Sequence, residues 1–306
     1  MNPVEPLEAW KDLVSVVLET RGPVVVIGAP DSGKTTLAKF IVRELSGRGE
    51  LVAYIDGDMG QSTLGPPTTL GMAMLDDRFD TMDGLSPGQV YFVGSTSPRG
   101  RGLETVVGLK RLVEWSRIEK EPIAVVDTTG YVTGGEALEL KYQKMDLINP
   151  RHIVAVQRDR ELEHILRTQE GRRCTLIHRL LPSPKVQRRS AEDRRRYRWR
   201  RFREYFANVR LHRIDLKRVS LTEIHRVRIH DRPREHLEGL LLGLNDEDNF
   251  LVSLGLIETL DQPQGLLSCL VPTDVDLERI RSIRLGSIRI NLSEETDGER
   301  PVGPDG

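Results

Sequence analysis

The chain has 306 residues, 38% of them apolar and 30% charged, with a formal net charge of −1 at pH 7. That length holds one large domain or two ordinary ones around a real core, and near-zero charge argues against nonspecific coating of nucleic acid while leaving a local basic site open. Cys174 and Cys269 are too few for a disulfide framework, show no zinc-type spacing, and fit a reducing cytoplasm.

The start, MNPVEPLEAWKDLVSVVLET, has no basic region followed by an apolar one, so a secretory signal is not expected. No apolar stretch approaches the roughly 20 residues that span a bilayer, and a cytoplasmic protein without a membrane partner is expected. Residues 7–20 read as an amphipathic helix. GPVVVIGAP then reads as a buried strand, and TTLAKFIVREL resumes helical spacing.

Between that strand and helix lies G-x-x-x-x-G-K-T, from Gly28 through Ala29, Pro30, Asp31, Ser32, Gly33, Lys34 and Thr35 to Thr36. Glycines let backbone N–H groups turn inward around phosphate oxygens, and the following helix adds its positive end. Lys34 is placed to reach the β- and γ-phosphates, and the Thr35 hydroxyl to meet magnesium. The strand before and helix after are the context this motif needs for binding a nucleoside triphosphate.

LVAYIDGDMGQ and PIAVVDTTG are strands ending in carboxylates: Asp56 and Asp58 on the first, Asp127 on the second. A magnesium–triphosphate site takes carboxylates at such strand ends, so Asp56 and Asp127 are both candidate metal contacts, with the closer one left open. Alternation turns Asp56 and Asp58 the same way, so one can hold metal while the other meets a phosphoryl acceptor; Asp-Gly-Asp is also an ordinary strand exit. DTTG also has the D-x-x-G form of a GTPase, but the guanine-reading N-K-x-D is missing and the late strand ends VAVQRDRE. Gln157 in that stretch is a candidate base-pocket edge.

QVYFVG, HIVAVQ and CTLIHRLL are further short strands, and LETVVGLKRLVEWSRI and DRELEHILRTQ read as helices between them. Alternating strands and helices imply an α/β fold, a parallel sheet with helices on both faces. Residues 188–203, RRSAEDRRRYRWRRFR, carry nine arginines. Ser190 with Asp193 three positions on predicts an N-terminal cap and a helix over 191–207. Trp199, Phe202, Phe206 and Val209 fall at helical spacing and predict the face that docks on a core. After about residue 208, short apolar runs with turn residues between them indicate a smaller β-rich domain over 209–293. The tail 294–306, acidic and rich in Gly and Pro, reads as disordered.

Five stretches together resemble the Clp/Grc-type polynucleotide 5′-hydroxyl kinases: GAPDSGKTT, YIDGDMGQSTLGPPTTLG, YFVGSTSPRG, TTGY and RRSAEDR. The likeness runs from about residue 22 to 208 and recurs in the C-terminal region. It implies a P-loop NTPase-type sheet over residues 1–208, including an arginine-rich lid at 186–206, and transfer of the γ-phosphate of ATP, or another NTP, to the 5′-OH end of RNA or DNA with Mg²⁺. Carried over by position, Asp58 would orient or deprotonate the attacking hydroxyl, and Arg189 and Arg194 would clamp the transferring phosphoryl group. Gln61 joins the nucleotide site with the variant Walker B segment, and Thr128, Gly130 and Tyr131 form the clasp, where the family usually has Trp in place of Tyr131.

Thr96, Ser97 and Arg99 are candidates for holding the acceptor backbone, as against a plain Ser/Thr-Pro turn after a strand. Arg195, Arg196 and Arg198, with Arg200, are candidates for its phosphates. The larger N-terminal domain of eukaryotic members is expected to be missing. Some members of the family are ATP-bound scaffolds without activity; the lysine, aspartate and lid arginines that such loss would break are all present here.

Overall fold

Val24–Gly28 forms β1, every residue of it buried, and the chain turns at Gly28 into the phosphate-loop sequence before α2 (Lys34–Ser46) begins. The computed structural model describes residues 7–76, 85–118, 120–222, 237–261, 263–294 and 298–301. They divide into two compact units, one of Met1–Gly65, Leu70–Gly88 and Pro98–Arg189, the other of Pro66–Thr69, Gln89–Ser97 and Ser190–Gly306.

In the first unit, β2 (Val52–Gly57), β5 (Ile123–Thr128), β1, β6 (His152–Val156) and β7 (Leu176–Leu180) run parallel in that spatial order. These carry the expected parallel sheet, to which β3 (Thr69–Leu75) adds antiparallel on β2, Val52 opposite Leu75. Its sequence, TLGMAML, lacks the β-branched run that marks β1, β5 and β6. Alternation along the strands sends Val24, Val26, Val52, Tyr54, Ile123 and Val125 to one face. There α1 (Glu8–Thr20) and α2 complete a core, with the Trp10 and Phe40 rings 5.4 Å apart. The alternate residues Val25, Ile27, Ala53, Ile55 and Val126 are equally buried, and α3 (Gly102–Ser116) packs on β2 and on α4 (Gly135–Ile148). Helical order in DRELEHILRTQ shrinks to one turn, α5 (Glu163–Leu166), because Arg160 enters with φ 63° and the Gln157 side chain takes the Leu162 N–H.

The second unit is an antiparallel sheet in the order β14-β13-β10-β11-β12-β8, with β9 (Ser220–Thr222) added parallel to β13. Its strands are β8 (Val209–Asp215), β10 (Leu240–Asn245), β11 (Leu251–Asp261), β12 (Leu266–Pro272), β13 (Ser282–Ile290) and β14 (Glu299–Pro301). Inward leucines and isoleucines of β10–β13 make its core. The segment β4 (Gln89–Phe92) brings Phe92 against Gly243, where any side chain would overlap the ring. The arginine-rich helix α6 (Ala191–Tyr205) starts at the expected capping box, Ser190 and Asp193 each bonding the other's backbone N–H. Trp199, Phe202 and Phe206 are buried against Phe92, Leu241, Leu254 and Ile288. Two boundaries differ from expectation. The units divide at Arg189/Ser190, so α6 belongs with the β-rich unit, and residues 299–301, expected within a disordered tail, form β14 beside β13.

Among the described residues, no helix is long and apolar enough to cross a membrane.

Candidate active site

The first unit places the sequence-selected residues at the C-terminal ends of β1, β2 and β5. Gly28 accepts no side chain because the Ser32 hydroxyl lies against its α-carbon, and Gly33, at φ 84°, caps α2 with Val186 close by. Lys34 is buried, and its ammonium donates to the Ala29 carbonyl at 3.4 Å within the loop. Thr35 is half-buried and Thr36 exposed, while the Ser32 hydroxyl is buried without a hydrogen-bond partner. Pro30 is met by Gly130: a β-carbon on Gly130 would stand 2.7 Å from the Pro30 nitrogen. The turn after β5 thus touches the phosphate loop.

Register puts Asp56 directly opposite Asp127, and Asp127 opposite Val26 of β1. The two carboxylates are nearly fully buried, 2% and 1% exposed, and differ in their partners. Asp56 is ringed by its own loop: it accepts from Asp58 N–H at 3.1 Å, Thr63 N–H at 2.6 Å, Thr63 Oγ1 at 2.9 Å and Leu64 N–H at 3.3 Å. Asp127 accepts from Thr128 N–H at 2.9 Å through Oδ1, while its buried Oδ2 has no partner. Burial lifts Asp127 to about 7, against the pull of Lys34, with Asp56 adding to the rise. Burial also raises Asp56, opposed by the Thr63 hydrogen bonds. Asp58 lies past the strand end, half-buried, and its Oδ1 accepts from Gly60 and Gln61 N–H, both at 3.1 Å. Alternation therefore does not govern the pair, because β2 ends at Gly57 and a turn sets the direction of Asp58.

A divalent cation fits this donor set at Thr35 and Asp127. An unpartnered carboxylate oxygen in a buried site costs about 1–3 kcal/mol or more, and a cation there would satisfy it. Asp56 fits less well as a direct ligand, since its oxygens already hold the loop that carries Asp58 and Gln61.

The segment that leads into α6 reaches the same place. Arg189 donates its backbone N–H to Asp31 Oδ2 at 3.2 Å and its guanidinium to Gln61 Oε1 at 3.5 Å. Arg194, in the first turn of α6, belongs to the second unit. So do Thr96 and Ser97, whereas Arg99 is an exposed residue of the first. Tyr131 is half-buried, and its hydroxyl donates to Glu136 Oε2 at 2.9 Å. Gln157, one residue past the Val156 that faces Gly28 across the β1–β6 register, walls a cavity of about 500 Å³ with Arg158, Arg160, Arg179 and Leu181. Its amide is engaged on both sides, donating to Glu163 at 2.7 Å and accepting from Leu162 N–H at 3.0 Å. Gln157 thus shapes the wall by holding Glu163.

Two residues escaped the sequence reading. Lys141 and Lys144 of α4 are fully buried. The Lys141 ammonium donates to Thr128 Oγ1 and to the Thr129 carbonyl, each at 2.9 Å, and Thr128 Oγ1 donates to the Val26 carbonyl at 2.8 Å. Lys141 thereby ties the clasp turn to β1. Burial, then Lys144 and Lys34, push Lys141 well below its ordinary pKa; burial brings Lys144 to about 8. Their spacing was the available signal: Ala137, Leu140, Lys141, Lys144, Met145 and Ile148 form one helical stripe, with the lysines inside it.

A parallel sheet with a glycine-bounded phosphate loop, paired acidic strand ends and an arginine at the loop's rim defines a P-loop nucleotide-binding protein. Residues 28–208 match the model of the mRNA cleavage and polyadenylation factor CLP1 P-loop, and the chain belongs to that family. It is 30% identical to a polyribonucleotide 5′-hydroxyl-kinase of Methanocaldococcus jannaschii, over 94% of this chain and 92% of that protein. It is also 30% identical to one of Pyrococcus abyssi, over 90% and 89%. Among solved structures, the wild-type Clp1p–Pcf11p complex shares the fold, with a TM-score of 0.70 at 16% identity, covering 94% of this chain and 80% of that one.

Proposed function

We propose that the chain is a polynucleotide 5′-hydroxyl kinase that moves the γ-phosphate of ATP, or another NTP, to the 5′-OH end of RNA. One observation carries this reading. Lys34, the open oxygen of Asp127, and the Asp58 turn converge at adjacent strand ends, with Arg189 on the loop's own Asp31. The named activity of the archaeal relatives, matched over nearly the whole of both chains, supports it.

The phosphate loop and Lys34 hold the β- and γ-phosphates. Magnesium, held by Thr35 and Asp127, would neutralise charge on the phosphate oxygens. Asp58, oriented by the Gly60 and Gln61 N–H groups, accepts the proton of the 5′-hydroxyl as its oxygen bonds to the γ-phosphorus. The bond from that phosphorus to the bridging oxygen breaks, and the nucleoside diphosphate leaves. Arg189 and Arg194 balance charge on the equatorial oxygens. Lys141 keeps Thr128–Gly130 against the phosphate loop. Arg99, Arg195, Arg196 and Ser97 are offered for the acceptor's backbone, and Thr96, whose hydroxyl donates to the Glu299 carboxylate, is not.

The test is label transfer from γ-labelled ATP or GTP, with magnesium, to 5′-OH oligonucleotides of RNA and of DNA. Wild type should label RNA, and Lys34→Ala should lose at least about 10³ of that rate through the missing charge on the transferring group. Equal labelling by Lys34→Ala, or none by wild type with either donor, overturns the reading.

A further inference from the structure

The last described residues make an interaction that the reaction above does not use. Glu299 of β14 has a side chain only 6% exposed, and Arg198 of α6 is 18% exposed. Arg198 Nε donates to both carboxylate oxygens, at 3.1 and 2.8 Å, and Thr96 Oγ1 donates to Oε1 at 3.3 Å. Pairing of Ile290 with Glu299 fixes where that carboxylate stands. One residue earlier, Gly298 lies flat on the Trp199 indole, where a β-carbon would overlap the ring, and its carbonyl accepts from Asn291 N–H at 2.8 Å. Successive residues at the start of β14, Gly298 just before it and Glu299 its first, therefore meet the successive residues Trp199 and Arg198 of α6.

The two contacts fix different freedoms. Apolar packing of Trp199, Phe202 and Phe206 is non-directional and tolerates small slides and rolls of a helix. A charged pair with hydrogen-bond geometry does not, and desolvation cancels much of its attraction, so what it contributes is mainly position. Arg194 is one helical turn from Arg198, roughly 5.4 Å along the axis and on the same face. Fixing Arg198 fixes the platform on which Arg194 stands.

We propose that Glu299 is a positioning residue: the C-terminal strand straps α6 through Arg198 and Trp199 and sets the placement of the lid arginine Arg194. The inference rests on the kinase reading for its effect on rate. It removes Arg198 from the groups offered to acceptor phosphates, because a phosphodiester approaching Arg198 would meet the Glu299 carboxylate.

Full-length wild type, Glu299→Gln and Glu299→Ala are compared in three measurements. These are binding of a fluorescent ATP analogue, kcat and acceptor KM for a 5′-OH RNA, and amide hydrogen exchange along the chain. The strap predicts analogue binding within about two-fold of wild type, acceptor KM little changed, and kcat reduced by about ten- to a hundred-fold, the loss expected from a small misplacement. Exchange should quicken in residues 191–205 ahead of the β10–β13 core. Glu299→Gln, which keeps the shape and one acceptor oxygen, should fall between the others and carries the test if Glu299→Ala fails to fold. An acceptor KM that drops while kcat holds would make Glu299 a competitor of the acceptor and overturn the strap. Unchanged exchange at 191–205, or an equal rise through β10–β13, overturns it too. If wild type transfers no phosphate, the kinase reading falls alone, and exchange confined to α6 still decides the strap.

Discussion

Three aspartates stand at the strand ends of the first unit, and nine arginines crowd residues 188–203. In the first group, Asp56 and Asp127 are equally buried and face each other across one strand pair, yet one is saturated by its loop and the other keeps an open oxygen. In the second, Arg198 is held by Glu299, Arg196 by Glu192 at 2.7 Å, and Arg200 and Arg201 share Glu204. Arg189 reaches Asp31 and Gln61. Both regions teach the same lesson by different routes. Residue type and spacing gather the charges, and the partners folded against them decide what each can do.

The most forceful way to break this comparison is to remove arginines that differ only in partners. Arg189→Ala and Arg194→Ala should each lower kcat by about 10³–10⁵, the range for an arginine acting on a transferring phosphoryl group. The loss should appear on short and long acceptors alike. If steady-state rates for both fall no further than those of an exposed arginine variant, residues 188–203 act only as an electrostatic strip.

The carboxylates come next. Asp58→Asn keeps size and hydrogen bonding but loses basicity, and should cost about 10²–10⁴ in transfer rate with nucleotide affinity retained. Asp56→Asn should show a different pattern, because whichever way the amide turns its NH₂ group faces a donor, the Asp58 N–H on one side or those of Thr63 and Leu64 on the other. A stability loss of about 1–3 kcal/mol, read from denaturant unfolding, is expected. A variant Asp56→Asn that is fully stable but inactive would place Asp56 on the reaction instead of on the loop.

A smaller effect comes from the opposite end of the first unit's sheet. His152 is buried at the start of β6, its ring nitrogens within 3.1 Å of Thr20 Oγ1 and of His178 Nε2. Burial, then His178, lower His152 to about 4, and burial lowers His178. The folded state thus binds fewer protons than the unfolded chain between pH 6.5 and 4. This contribution is complete above the unfolded pKa and disappears as pH falls through the folded one. Its ceiling is about 3 kcal/mol. Stability measured by denaturant should fall across that window, and His152→Gln should flatten the fall.

How much of this was legible depends on distance along the chain. The phosphate loop, the alternating elements, the capping box at Ser190 and Asp193, and the docked face at Trp199, Phe202 and Phe206 are local patterns, and local spacing suffices to see them. The partner of Arg198 is 101 residues away, and Thr96 is 203 from the same carboxylate, so no periodicity links them. The strand β3 escaped because TLGMAML carries little β-branched signal and its pairing is a long-range choice that a single segment does not encode. The saturation of Asp56 escaped for a subtler reason: its donors come from Thr63 and Leu64, close in sequence, but only the folded turn brings their N–H groups onto one oxygen.

The gentlest test asks whether an exposed arginine in a weak pair behaves unlike Arg198 in a buried one. Arg196 and Glu192 are both about two-thirds exposed, at 65% and 63%, and lie one helical turn apart. Such pairs contribute about 0.3–0.5 kcal/mol and are screened by salt, so Arg196→Ala should leave the melting temperature nearly unchanged. If Arg196 meets an acceptor phosphate, its loss should raise KM for longer RNA and reduce the salt dependence by about 0.7 of one counterion, the single-strand value. Glu192→Gln should act in the reverse sense, freeing Arg196 and steepening the salt dependence while kcat stays put. Opposite shifts from these two neighbours, read as slopes of log KM against log salt, would show that the weak partner is displaced by the acceptor. Parallel shifts would mean that Arg196, like Arg198, is held by its carboxylate throughout.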